Sequence, residues 1–436
     1  MVISTASGHT NPQPTVDTKV PLVSNQLTDG TEQQNGPMNC EERAVRVVRR
    51  ELVLDRTAEP NALPFVLQGY VAWIGRVALD PIKLQYTARD FVLSHFGDGD
   101  ESRWIVGLIA NIGSRIGSME FVGGEPNLML SMLQAAVRRR LGSTSSKRAA
   151  LAKALNSAIE AMLIHFHASP LSETVTLRQE AAPIFRQLYS ASPGAPIDLY
   201  SLIQHPCLWH YAFIDILFGV ATDMPTLFRY EVSFPSHQHS TTYQGSQGDG
   251  IIQWLHGIPN QLLFVFAYMK LMRGDGLTPN DDTVASLERT IHELPPFDGS
   301  SSNRFVSVIR SVVQECWKQA ALIYLYMAVC GDSSATPRVK EACKRYMRLL
   351  NSTQPGRLPD EHLVLTLQLV SPAAQRQRDR AVIKQRALGL YTRDRTHRET
   401  TLFLFVMDDV WTRADTEDRP VMWSDVAVSQ KRILGA

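Results

Sequence analysis

The stretch Phe305–Gly331, FVSVIRSVVQECWKQAALIYLYMAVCG, constrains the fold more than any other part of the chain. Its apolar residues, beginning with Phe305, Val308, Ile309, Val312, Val313, Cys316 and Trp317, recur in three- and four-residue steps. That spacing places them on one face of an α-helix. Asn303 or Ser302 offers a side chain to cap the start, and Gly331 suits a left-handed residue just past the end. From Ala320 onward the helix is apolar all round, so other elements must cover it on several sides. The fully apolar part is about a dozen residues, short of the roughly 20 needed to cross a bilayer. The stretch therefore predicts a central buried helix of a helical domain.

The chain around it has 436 residues, 44% hydrophobic and 20% charged, enough for one large core or two joined ones. Its charges nearly cancel, at a formal +1. A dedicated nucleic-acid-binding module carries an excess of Lys and Arg to meet phosphates, so this balance leaves room only for local basic patches. Five cysteines are scattered at Cys40, Cys207, Cys316, Cys330 and Cys343. Their odd number and lack of framework fit a reducing compartment better than secretion. The N-terminus shows no basic region followed by an apolar run, and no segment has the unbroken apolar length of a membrane span. A soluble intracellular protein is expected.

Residues 1–40 are rich in Ser, Thr, Asn, Gln, Gly and Pro and have no period, so disorder is expected there. Residues 41–54, EERAVRVVRRELVL, read as a short amphipathic helix that opens a domain running to residue 436. Helical spacing follows over Leu63–Leu79, from Pro81 to about Phe96, Ser102–Met119, Asn127–Leu141 and Ala149–Phe166. Gly113 and Gly117, one turn apart, mark either a close helix contact or a break. Glu180–Tyr189 reads as a short helix, and the Pro/Gly loop 190–196 as a hinge between two helical halves. Ile197–Ile203, Cys207–Val220, the pair within Ile251–Arg273, Asp281–Glu293, the central helix, Pro337–Leu350, Leu363–Val370, Arg378–Leu390 and Glu399–Trp411 continue the pattern, with a last short helix in the tail. Residues 233–250 read as a long polar loop. Strand signals are sparse, and no fixed repeat period is present. The fold class is all-α, a large irregular multi-helix domain of roughly fifteen or more helices.

Motifs that carry chemistry are missing. There is no phosphate-binding loop, dinucleotide fingerprint, HExxH, nucleophile elbow or EF-hand. His165 with His167, and His237 with His239, are the paired histidines; neither pair has a third ligand nearby, and zinc needs three or four. Cys207 with His205 and His210 suggests a nucleophilic pair, but partners so local in sequence are weak signals, and a packed cysteine is the commoner state. Glu315, Cys316 and Trp317 lie on the central helix, where the carboxylate is expected to pair with a neighbouring Arg or Lys or to lie on a polar seam. The basic stretch Arg376–Arg398 has mixed charge, with Asp379 and Asp394; a solvated face is the commoner reading, with nucleic-acid binding or a nuclear address as the alternatives. No catalytic, cofactor-binding or metal-binding residue is assigned, and no enzyme activity is expected.

An ordered series of blocks resembles a known family. It includes ALPFVLQGYVAWIGR at 62–76, ESRWIVGLIANIGS at 101–114, QEAAPIFRQLY at 179–189 and HYAFIDILFGVATDMPTLFRYEVSF at 210–234. It continues with QWLHGIPNQLL at 253–263, VVQECWKQAALIYLYMAVCG at 312–331, RVKEACKRYMRLLNSTQPGRLPDEHLVL at 338–365, RDRAVIKQRALGL at 378–390 and DDVWTRADTEDRPVMWSDV at 408–426. The series resembles the fungal-specific transcription factor domain of the second type, in its basidiomycete branch, which lies downstream of zinc-cluster DNA-binding modules. The resemblance implies an α-helical regulatory module of a nuclear regulator. Such a module sets activity or dimer partners and performs no catalysis. Its implied partners are other transcription regulators or a second copy of itself, with a small-molecule effector as a further candidate. The zinc cluster of the family needs six closely spaced cysteines, and this chain has five in all. Sequence-specific DNA binding by this chain alone is therefore not expected. Leu365–Ser371, LTLQLVS, departs from a family stretch that often carries Pro and Gly. The competing expectation is a cytosolic helical scaffold without a transcriptional role.

Overall fold

The computed structural model describes residues 62–118, 128–143, 147–169, 171–189, 194–232, 250–296, 304–393 and 398–434. The segment 1–40, the amphipathic stretch 41–54, the loop 233–249, the caps at 302–303 and the hinge residues 190–193 lie outside those residues. Sixteen α-helices are described. The first six are α1 Ala62–Val77, α2 Gln85–Phe96, α3 Asp100–Gly117, α4 Leu128–Leu141, α5 Arg148–Ala168 and α6 Leu171–Tyr189. Next come α7 Pro206–Thr222, α8 Gly250–His256, α9 Asn260–Gly274, α10 Asp281–His292 and α11 Arg304–Tyr324. The last five are α12 Pro337–Asn351, α13 Arg357–Val370, α14 Gln377–Arg393, α15 Arg398–Thr416 and α16 Ser424–Leu434. Two parallel two-residue strands, β1 Ile197–Asp198 and β2 Tyr230–Glu231, complete an all-α fold. No described helix is long and apolar enough to cross a membrane.

The central helix behaves as its sequence predicts over most of its length. Every residue from Ala320 to Val329 is buried, against α9, α12 and α13 among others. It does not end as a plain α-helix: Leu325–Val329 widens into a π-turn, in which the Cys330 amide donates to the Leu325 carbonyl at 2.9 Å. Gly331 follows at φ +77°, the left-handed position expected of it. At the other end the apolar pattern overreaches. Phe305 and Val308 are 58% and 56% exposed, because cover begins only at Ile309 and Val313. Gly257 lies against Val313 so closely that a Cβ there would come within 2.6 Å of Val313 Cγ1.

Two segments differ from their sequence patterns. Ile197–Ile203 is not a helix. The Ile197 and Leu199 amides donate across to the Arg229 and Glu231 carbonyls at 2.8 and 3.1 Å. The Asp198 carboxylate then accepts from the Tyr200 amide at 3.1 Å, which turns the chain into one 3-10 turn at Tyr200–Leu202. Helix α6 starts at Leu171, well before Glu180, and runs through Pro183. Its early apolar signal was masked because Thr174 and Arg178 share the buried face with Leu177 and Ala181.

The first helices show why small residues matter. On α3, a Cβ at Gly113 would come within 2.6 Å of Trp73 Cβ, and one at Gly117 within 3.0 Å of the Ala72 carbonyl oxygen. From the α1 side, a Cβ at Gly69 would come within 2.7 Å of the Ala110 carbonyl oxygen. These glycines let two backbones approach, and α3 is unbroken. Trp73, fully buried at this contact, donates its indole N–H to Glu160 at 3.4 Å. Burial pushes the Glu160 carboxyl up to about 7, against the hydrogen bonds from Tyr70 and Trp73.

Gly113→Ala overpacks the α1–α3 contact and is expected to lower stability by about 1–3 kcal/mol in urea unfolding. Gly107→Ala on the same helix has open space around its Cβ. It is expected to be neutral or stabilising by roughly 0.5–1 kcal/mol. Equal effects of the two would contradict the close approach.

Candidate functional site at the end of the core helix

Charged residues inside a helical core have to be paired, and their pairs mark where distant segments meet. One such place surrounds the π-turn of α11. Asp223 sits just past α7 at φ 58°, a left-handed conformation that Asp tolerates better than most residues. Its carboxylate receives the forked guanidinium of Arg273 from α9, with Nε to Oδ1 at 2.6 Å. The same guanidinium donates through Nη1 to the Ala328 carbonyl inside the π-turn at 2.6 Å. Lys270, one turn earlier on α9, places Nζ 3.8 Å from Asp223 Oδ1. Burial lowers the Lys270 ammonium to about 8, against the pull of Asp223.

Further elements close over this group. Gln368 of α13 donates to the Ala221 carbonyl at 2.9 Å. Tyr324, fully buried, meets Trp423 edge-on with ring centroids 5.1 Å apart. The Tyr324 hydroxyl and the Trp423 indole N–H are both buried without a hydrogen-bond partner among the described residues. The site thus combines a bidentate ion pair, a buried amine and two unused polar atoms. It can hold segments in register.

A second junction gathers three histidines from α7, α8 and α13. His210 Nε2 and His256 Nε2 lie 3.3 Å apart, and His256 stacks on Phe213 with centroids at 4.6 Å. His362 is buried nearby, with Nε2 lacking a hydrogen-bond partner among the described residues. Burial depresses His210 and His362 to about 4 and holds His256 well below its usual range. These are neutral packed imidazoles. No group of three His, Cys, Asp or Glu among the described residues has metal-binding geometry.

Three further buried pairs tie the chain together. Asp215 of α7 accepts from Arg178 at 3.0 Å, from the Tyr230 hydroxyl at 2.9 Å and from the Leu227 amide at 3.0 Å. Asp360 accepts from Arg386 at 2.7 Å and from the Gly356 amide at 3.0 Å. Arg310 pairs with Asp80 at 3.4 Å while lying 4.5 Å over the Trp254 ring.

The residues singled out in the sequence fall elsewhere. His165 is buried against Ser169 Oγ at 2.7 Å, and His167 packs edge-on against Trp73, so this pair does not converge. His237 and His239 lie outside the described residues. Burial raises the Cys207 thiol, opposite to what a nucleophile needs, and His210 turns to His256 instead. Glu315 is half-exposed and pairs with Lys318 of its own helix at 2.9 Å, rather than with a neighbouring helix. Cys316 and Trp317 are core residues. In the basic stretch, Arg386 and Arg380 are buried in ion pairs with Asp360 and Asp415, whereas Arg376 and Arg378 are exposed. Two surface cavities are small and of mixed polarity. One of about 260 Å³ lies at Asp98–Ser102 and Arg140, and one of about 280 Å³ at Ser334, Arg380 and Asp415–Val421. Asp223, Lys270 and Arg273 went unnoticed in the sequence. Their signal is one charge closing the apolar run LFGVATD and two within LLFVFAYMKLMR.

Residues 133–434 match the fungal specific transcription factor domain, which is more than half of the chain. The chain belongs to that family. No curated protein and no solved structure matches it. Both junctions lie within the matched residues, and α1–α3 precede them.

Arg273→Leu leaves the Asp223 carboxylate with only the longer Lys270 contact and removes the donor to the Ala328 carbonyl. It is expected to cost on the order of 3 kcal/mol in chemical unfolding, against at most about 0.5 kcal/mol for an exposed control such as Lys344→Ala.

The depressed histidines make stability fall with acid. Folded His210 and His362 bind fewer protons than the unfolded chain between about 4 and 6.5, so their contribution is intact above pH 6.5 and lost as pH drops towards 4. Glu160 acts oppositely, since its raised folded value favours the folded state as pH falls from about 7 to 4.5. His210→Gln combined with His362→Gln should therefore flatten the acid-side loss of melting temperature relative to the parent chain. An unchanged pH profile in the double variant would contradict the assignment.

Proposed function

We propose that this chain is the regulatory helical domain of a fungal transcription factor, working by protein contact inside the nucleus. The observation that carries this is the family match over residues 133–434. Features of the structure support contact over catalysis. The buried charges are engaged with one another, and two surface cavities fall below the roughly 300 Å³ at which small-molecule sites begin. Exposed Phe305 and Val308, one turn apart on α11, offer an apolar contact to a further regulator or a second copy of the chain. A small polar effector would find unused hydrogen-bonding atoms at Tyr324 and Trp423. The domain takes in residues 41–436, with 1–40 outside it. Sequence reading of DNA through a zinc cluster falls to a partner or to sequence beyond this chain, whose five cysteines are too few for one.

The test is a reporter assay with the chain fused to an unrelated DNA-binding domain, read together with the location of the tagged chain. A several-fold change in reporter output with nuclear enrichment is expected. An inert fusion whose tagged parent stays in the cytoplasm under all growth conditions would instead fit a cytosolic scaffold.

A further inference from the structure

Although the chain as a whole is nearly neutral, its cations are not evenly spread. Helix α12 buries Val339, Ala342, Cys343, Tyr346, Met347 and Leu350. The opposite face exposes Lys340, Lys344, Arg345 and Arg348. One carboxylate, Glu341, serves the last three of these, at 3.8, 3.1 and 3.9 Å. No ion pair of Lys340 is found among the described residues. Gln375 donates to Ser334 Oγ at 3.2 Å, just ahead of α12, and the turn Ser371–Ala373 packs against α12, which brings the start of α14 close to this helix. Arg376 and Arg378 are exposed there, with Asp379 beside them half-buried. Six exposed cations thus lie along α12 and at the start of α14, with two carboxylates among them.

We infer that this face of α12 and the start of α14 binds the phosphate backbone of duplex DNA without reading its sequence. Lys340, Lys344 and Arg348 follow one another at four-residue steps, so the stripe is about 12 Å long and covers roughly three to four phosphates of one strand. The surroundings select this partner over other polyanions. None of the exposed large hydrophobic residues lies on α12 or on residues 371–387. An amphipathic acidic peptide would find no apolar pocket for its anchors. A single strand would find no aromatic ring on which to stack its bases. A rigid duplex asks only for charge, which is what this face offers. The inference concerns charge and does not depend on the regulatory reading: it stands or falls with purified chain and DNA alone.

The experiment is fluorescence anisotropy of the full chain with a labelled random-sequence duplex, between 50 and 200 mM salt. With about four phosphates neutralised, affinity is expected to fall roughly 150-fold across that range. Joint Lys340→Ala, Lys344→Ala, Arg345→Ala and Arg348→Ala substitution should remove most of the affinity and flatten the salt slope. The single Lys340→Ala change leaves every ion pair described here intact and should lower the slope by about 1. Joint Arg138→Ala and Arg139→Ala substitution, on another exposed face, should change neither. Absence of binding at 50 mM salt would overturn the proposal. So would a slope unaltered in the fourfold variant while its melting temperature matches the parent. Tighter capture of an acidic peptide of equal charge than of the duplex would overturn the assignment to nucleic acid.

Discussion

A helix that is apolar on every side has to be enclosed on every side, and the rest of this structure follows from that demand. Ten consecutive buried residues, Ala320–Val329, cannot be covered by a single neighbour. Helices α9, α12 and α13 supply the cover, with Phe266 meeting both Trp317 and Tyr324 edge-on. Fully burying side chains of this size is worth roughly 1.5–3 kcal/mol each, an upper bound because unfolded chains already bury some apolar surface. The π-turn at its end re-aims the backbone so that the Ala328 carbonyl meets Arg273. π-turns within helices recur at functional sites, which is why this junction stands as the candidate site rather than either surface cavity.

The buried ion pairs do a different job from the apolar core. Taking charges out of water costs nearly as much as their attraction returns, so such pairs add little net stability, although removing one partner is expensive. What they fix is which segments meet. Asp215 joins α6, α7 and β2; Arg386 of α14 joins Asp360 of α13 to the Leu350 carbonyl near the end of α12; Arg310 joins α11 to the turn after α1. Arg76 of α1 reaches Glu361 of α13, so the helices that precede the matched family residues are tied to those within them. A single hydrophobic cluster runs from Val66 to Val426 across both groups.

Much of the fold was legible in the sequence because amphipathic spacing and Gly/Pro punctuation are local signals. Gly331 at the end of the core helix, Asp80-Pro81 after α1 and Gly257 between α8 and α9 all mark real boundaries. The errors arose where a distant partner decided the conformation. Ile197 and Asp198 have helical-looking neighbours, yet their backbone pairs with Arg229–Glu231, some thirty residues on. Phe305 and Val308 carry the right period, but nothing in a period says where the covering helices stop. The candidate site was the least legible part. Asp223, Arg273 and Ala328 are far apart in sequence, and only the fold brings them together. The glycines of α3 left two readings open, and the space around Trp73 settles the matter.

The central claim is that the described helices, from α1 to α16, form one cooperative core around α11. Native-state hydrogen exchange under increasing denaturant, read by mass spectrometry, tests it most directly. The account predicts that amides of residues 313–329 and 363–370 are the slowest, and that those of α1 and α3 merge with them into the same global unfolding step. Exchange of α1–α3 through a separate, lower-energy opening, with residues 313–329 unaffected, would contradict it.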